Sequence, residues 1–173
     1  GLLHAHMGWM FTPDPPNLGR LVRDLYKDRL LRVASRLFGV WVILGLLIPT
    51  ALGAAISGTW TGAFLGFIWG GLVRIFLVHH LTWSINSVCH LWGRRPFQCD
   101  DESRNNIVCG ILGLGEGWHN NHHAFPASAR HGLRWWEFDF SFYVIRGLEM
   151  LGLAWRVRIP NSKSMMLKRR QIA

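Results

Sequence analysis

The stretch Gly115–Pro126, GEGWHNNHHAFP, puts His119, His122 and His123 into five consecutive positions. At i, i+3 and i+4 spacing the three imidazoles share one face of a helix. A second group lies upstream: at about 100° per residue, His79, Trp83, Asn86 and His90 fall within about 60° of one another on a helix. Two helices that each offer imidazoles from one face can build a metal site between them. Neutral imidazole ligates iron, zinc, copper or nickel, so this pattern leaves the metal open. Without an ion, four clustered histidines would repel when protonated and would each need a partner when neutral. The expected ligands are therefore His90, His119, His122 and His123.

Neighbouring polar residues carry plainer readings. His79 or His80 reads as a hydrogen-bonded histidine packed on an apolar helix. Glu116 reads equally as an acid orienting an imidazole or as an ordinary helix-start acid. Asp100, Asp101 and Glu102 read as solvated loop acids. Cys89, Cys99 and Cys109 match no zinc or Cys-x-x-Cys spacing and read as reduced thiols with packing or surface roles.

The elements that must hold these groups are apolar. The chain has 173 residues, half of them hydrophobic (50%), with ten Trp and ten Phe, yet carries a net charge of +9. Apolar bulk with clustered cations fits a membrane protein with basic flanks. A nucleic-acid binder would be basic without long uncharged runs, so nucleic acid is not an expected partner. The sequence opens at Gly1 inside an apolar segment without the features of a signal peptide, and reads as the later part of a longer protein.

The spacing predicts an amphipathic interfacial helix over residues 18–36. An uncharged transmembrane helix follows over 37–57, roughly 30 Å long. A second helix is predicted over 60–92; at about 45 Å it exceeds the ~30 Å hydrocarbon core, so its last third projects into the cytosol. Six cations, Arg20, Arg23, Lys27, Arg29, Arg32 and Arg36, precede the hairpin, Arg94 and Arg95 follow it, and the turn between has none. The positive-inside rule puts both ends in the cytoplasm. Residues 94–173 form an expected cytosolic cap. It contains a helix over 141–157, capped by Asp139 or Ser141, and ends in a basic tail expected to be disordered. The fold class is thus all-α, an integral membrane protein with a helical hairpin and a cap holding a histidine-box metal site.

Two segments, LTWSINSVCHLWGRRPF and GEGWHNNHHAFP, resemble the C-terminal half of the membrane acyl-CoA Δ9 desaturases, the stearoyl-CoA desaturase family, in its bacterial branch. HAHMGW, His4–Trp9, resembles the segment that follows that family's second histidine box, and the resemblance spans essentially the whole chain. It implies four transmembrane helices under a cytosolic cap and an all-nitrogen di-iron centre. On that resemblance His119, His122 and His123 match the third box and His90 an additional ligand. Asn86 matches an Asn that reaches a metal through water, and Trp83 a substrate-contacting Trp. His4 and His6 match no ligand.

The implied activity is O2-dependent insertion of a cis double bond, Δ9 by analogy, into a saturated acyl chain. The implied partners are acyl-CoA or another acyl thioester, O2, membrane lipid and an electron donor of ferredoxin, rubredoxin or cytochrome b5 type with its reductase. The first two boxes, HxxxxH and HxxHH, do not occur here, so the chain is expected to be inactive alone. The rival readings are a di-iron membrane lipid hydroxylase and a non-catalytic metal-binding membrane protein.

Overall fold

The computed structural model describes residues 1–12 and 22–169. Among the described residues every regular element is helical. The only strand-like pairings are isolated backbone bridges, Arg94 with Asn105, Asn105 with Trp118 and Phe97 with Arg169. The elements are α1 (Leu2–His6), α2 (Arg23–Lys27), α3 (Arg29–Arg36), α4 (Phe38–Ser57), α5 (Trp60–His90), α6 (Ile107–Leu112), α7 (His119–Ala124), α8 (Phe140–Met150) and α9 (Ser162–Lys168). They divide into two compact units, residues 11–79 and residues 1–10 with 80–173.

In the unit formed by residues 11–79, the single helix expected over 18–36 is two helices, and residues 18–21 lie outside the described ones. Asp28 makes the break: its backbone is extended, and its carboxylate accepts from Leu30 N (2.8 Å) and Leu31 N (3.2 Å), capping α3. Both α4 and α5 are long and apolar enough to cross a membrane, with mean hydropathies of 2.1 and 1.7. Gly58 turns between them with φ at +65°, the left-handed region that glycine adopts freely.

The first half of α5 packs on α4 backbone to backbone. A Cβ on Gly53 would collide with the Gly62 carbonyl, and one on Gly66 with the Pro49 carbonyl. Small residues permit this close approach of the two backbones. Pro49, inside α4, has no N–H to bond the Gly45 carbonyl one turn back. Arg74 fills that gap: Nη2 donates to Gly45 O (3.0 Å) and Nε to Gly70 O (2.7 Å), at the end of a π-helical stretch, Gly66–Val73, in α5. Arg74, the one Lys or Arg within the long apolar run, thus serves two carbonyls.

In the other unit, α5 ends in a tight 3-10 turn, Val88–His90. Ile85, Cys89 and Cys109 form a small buried core there with Val88 against it, and all three cysteines are free thiols. Helix α8 ends at Met150 rather than at residue 157, because Gly152 (φ +72°) and Arg156 (φ +56°) leave helical space. Its cap is Asp139, which accepts from Phe142 N at 3.0 Å. Part of the expected disordered tail is helix α9, capped by Asn161 through Ser164 N (2.8 Å). Residues 170–173 lie outside the described residues.

Candidate metal centre

The third-box helix α7 is short, and its two faces do different work. Asn120 and Asn121 are 0% and 1% exposed. The Asn120 amide pairs with the backbone of Phe97, accepting from Phe97 N (2.9 Å) and donating to Phe97 O (3.1 Å). Asn121 accepts from Asn105 Nδ2 (2.7 Å), donates its own N–H to Asn105 Oδ1 (3.1 Å), and through Nδ2 donates to His131 O (2.7 Å) and Glu137 Oε2 (2.8 Å). Buried amides so fully satisfied fix a segment in one position. The positions i+1 and i+2 are therefore anchors, which leaves i, i+3 and i+4 to present imidazoles on the other face.

The entry to α7 is fixed as firmly. Trp118 is 1% exposed and donates from Nε1 to Phe138 O (2.7 Å), its ring edge-on to Trp136. It passes so close to α6 that a Cβ on Gly110 would lie 2.8 Å from the indole.

On the presenting face, ligand atoms of His90, His119 and His123 all lie within 4.8 Å of one another. His90 Nε2 and His119 Nε2 are 3.1 Å apart, and the His119 and His123 rings stand 4.3 Å apart. That 3.1 Å is a hydrogen-bond distance, and two nitrogens on one ion at bonds of ~2.1 Å would also sit about 3–3.4 Å apart, so the spacing fits a shared ion. His123 Nδ1 is engaged by Asp101 Oδ2, which leaves Nε2 as the nitrogen available to a metal. Asp101 is held in turn by Ser103 N (2.8 Å) and Cys99 Sγ (3.4 Å). Burial works against its charge, but these hydrogen bonds and that of His123 keep its carboxyl well below the usual range.

Electrostatics favour neutral, ligating imidazoles. Burial, and then the neighbouring His123, His90 and His122, push His119 down to about 3. His122 is also lowered, first by burial and then by His131 and His123. The His122 ring lies 5.5 Å from that of His123 and 6.1 Å from that of His119, and its Nδ1 is buried with no hydrogen-bond partner. An unsatisfied buried nitrogen among neutral imidazoles fits a metal-binding role better than a packing role. The donor set, all nitrogen with one carboxylate behind it, suits iron, zinc, copper or nickel.

The remaining expected residues are placed as follows. Asn86 is exposed, one turn before His90. Trp83 packs edge-on against His80 (ring centroids 5.0 Å) and His6 (5.8 Å). His6, set aside as a ligand, bonds His80 Nδ1 (3.0 Å) and Ser87 Oγ (2.9 Å) instead. Glu116 is exposed, and the acid that orients a box imidazole is Asp101, which the sequence reading treated as solvated. Asn105, His131 and Glu137 also escaped that reading. Acids between large aromatics in Trp135–Phe140, WWEFDF, were the available signal for Glu137, now 3% exposed.

The family model described as fatty acid desaturase matches residues 1–158. The chain is 46% identical over 169 residues to a hex-5-enoyl-[acyl-carrier protein] acetylenase of Moorena producens (strain JHB), covering 98% of this chain and 53% of that protein. It is 52% identical to an acyl-CoA C20 Delta5-desaturase of Anemone leveillei, covering 93% and 50%. It is 36% identical to an sn-1 stearoyl-lipid 9-desaturase of Anabaena variabilis, covering 94% and 57%. The chain spans about half the length of the curated relatives it matches.

Proposed function

The chain belongs to the fatty acid desaturase family, and from that premise we propose that it is the C-terminal part of a membrane acyl desaturase with a di-iron centre. The observation that carries this reading is the convergence of His90, at the end of one helix, with His119 and His123 of another. Neutral nitrogen donors at 3.1 Å and an unpartnered His122 nitrogen suit that metal.

In this reading His90, His119 and His123 hold one iron, His122 contributes beside them, and Asn86 reaches the centre through water. Iron, when bound, supplies the O2 activation needed to take hydrogens from two adjacent methylenes, with electrons from a separate redox protein. This chain's residues fix where that happens. Asp101 holds the His123 proton on Nδ1 and so aims Nε2. Asn120 and Asn121 stop the box helix from shifting. Trp83, braced by His6 and His80, offers an aromatic wall to an acyl chain. Ligands upstream of this chain complete the centre.

Helices α4 and α5 form the membrane hairpin. Their length and hydropathy, their glycine contacts and the satisfied Arg74 support this placement. Cations on both flanks and none in the turn support a cytoplasmic site.

The three relatives are named for acyl-carrier-protein, CoA and lipid substrates, so acyl-CoA Δ9 chemistry is narrower than what the family supports. We hold Δ9 desaturation of acyl-CoA as the first substrate to test, with the other two carriers beside it. The test is product analysis in membranes containing the full-length protein. A cis-alkene is expected; an alcohol would indicate a hydroxylase, and no oxidised product together with bound zinc would indicate a non-catalytic metal protein.

A further inference from the structure

We propose that His131 is a further metal ligand, paired with His122 beside the His90–His119–His123 trio. The inference rests on the metal-centre reading above and extends it to a residue outside the three-histidine box.

The His131 ring lies 4.5 Å from that of His122, tilted by 43°. That is closer than the 5.0 Å between the rings of His90 and His119, whose Nε2 atoms reach 3.1 Å. No hydrogen bond joins His122 to His131, and neither ring nitrogen of His131 has a partner among the described residues. His122 Nδ1 is buried and unpartnered as well. Two imidazoles side by side with no proton shared between them gain little from each other and much from a common cation.

The fold goes to unusual lengths to hold His131 there. Its N–H donates to Asp139 Oδ2 (2.6 Å), and its carbonyl accepts from Asn121 Nδ2 (2.7 Å). Gly132 N reaches the same Asp139 oxygen (2.9 Å), while Leu133 N (2.8 Å) and Arg134 N (3.0 Å) converge on Glu137 Oε2. Both carboxylates are 3% exposed. Burying two acids is costly unless their hydrogen bonds are made, and here they are spent on a loop whose half-buried imidazole does no other visible work. Asn121, the residue before His122, ties the two histidines through one side chain. A rigidly supported side chain beside an unsatisfied ligand nitrogen is how ligand spheres are preorganised.

The test uses the full-length protein loaded with 57Fe and read by metal content and Mössbauer spectroscopy. Wild type is expected to hold about two irons per chain. His131→Phe, which keeps the ring packing but supplies no donor, should lose about one of them and the matching quadrupole doublet. His131→Asp, which restores a donor atom, should recover iron above the Phe variant. Unchanged content and spectrum in His131→Phe would overturn the inference, as would an Asp variant no better than Phe. A wild-type protein that binds no iron would instead refute the metal-centre reading itself.

Discussion

Asn121 and Glu137 meet in the interior of the unit that carries the histidines: Asn121 Nδ2 donates to Glu137 Oε2 at 2.8 Å, with the amide 1% and the carboxylate 3% exposed. This contact ties the third-box helix to the loop of residues 131–137, because the same Glu137 oxygen takes two backbone N–H groups of that loop. Removing the carboxylate takes an acceptor from four donors: Asn105 Nδ2, Asn121 Nδ2, Leu133 N and Arg134 N. Glu137→Ala should therefore cost about 3–5 kcal/mol, measured as a fall in thermal stability of the full-length protein. Glu149→Ala, which removes the surface partner of Arg146, should cost about 0–1 kcal/mol. Equal losses would mean that the buried network does not anchor the box.

The Asp101–His123 contact makes a different kind of prediction. Asp101→Asn keeps a hydrogen-bonding group beside Nδ1 but removes the charge that makes the imidazole a better donor. Metal affinity should fall about 10–100-fold with the fold retained, read by competition with a chelator. An unchanged affinity would show that Asp101 only packs against the ring.

Two glycine substitutions separate close packing from mere flexibility. A Cβ on Gly117 would collide with the backbone of Cys109 and Gly110, whereas one on Gly147, within α8, meets nothing within 4 Å. Gly117→Ala should destabilise by about 1–3 kcal/mol or more and loosen Trp118, the entry to the box. Gly147→Ala should stabilise by about 0.5–1 kcal/mol. Thermal unfolding of both variants checks the pair, and a benign Gly117→Ala would remove the argument for tight packing below α7.

Histidines should also divide by role. His122→Ala in the complete protein should abolish desaturation while leaving membrane insertion intact. His79→Ala should cost far less, because an exposed histidine on a long apolar helix reads as a helix residue rather than a ligand. Product yield and membrane fractionation together decide this. Full activity in His122→Ala would count against a ligand role.

Much of this was readable from residue types and spacing. The HxxHH pattern, its partner His90, and two helices of membrane-spanning length all depend on local periodicity, which a single segment carries by itself. What escaped depends on contacts between distant segments. Asp101 looked like a loop acid because its partner His123 is 22 positions away in sequence. His131 sat in a stretch that reads as loop or short helix, and only burial of Glu137 and Asp139 shows how firmly it is held. The break at Asp28 was missed for the opposite reason: a single capping carboxylate starts a new helix close to where the amphipathic stripe blurs, after Arg29. The helix expected to reach residue 157 stopped at Met150 because two residues adopt positive φ, one of them, Arg156, a type that gives no such signal.

The central claim is that His90 and the third box grip the same metal, and iron analysis with X-ray absorption of the full-length protein tests it most directly. The account predicts bound iron in a nitrogen-rich sphere with imidazole scattering, and loss of the same iron in His90→Ala and in His119→Ala while both variants stay folded. Iron content and spectra indifferent to either substitution would contradict it.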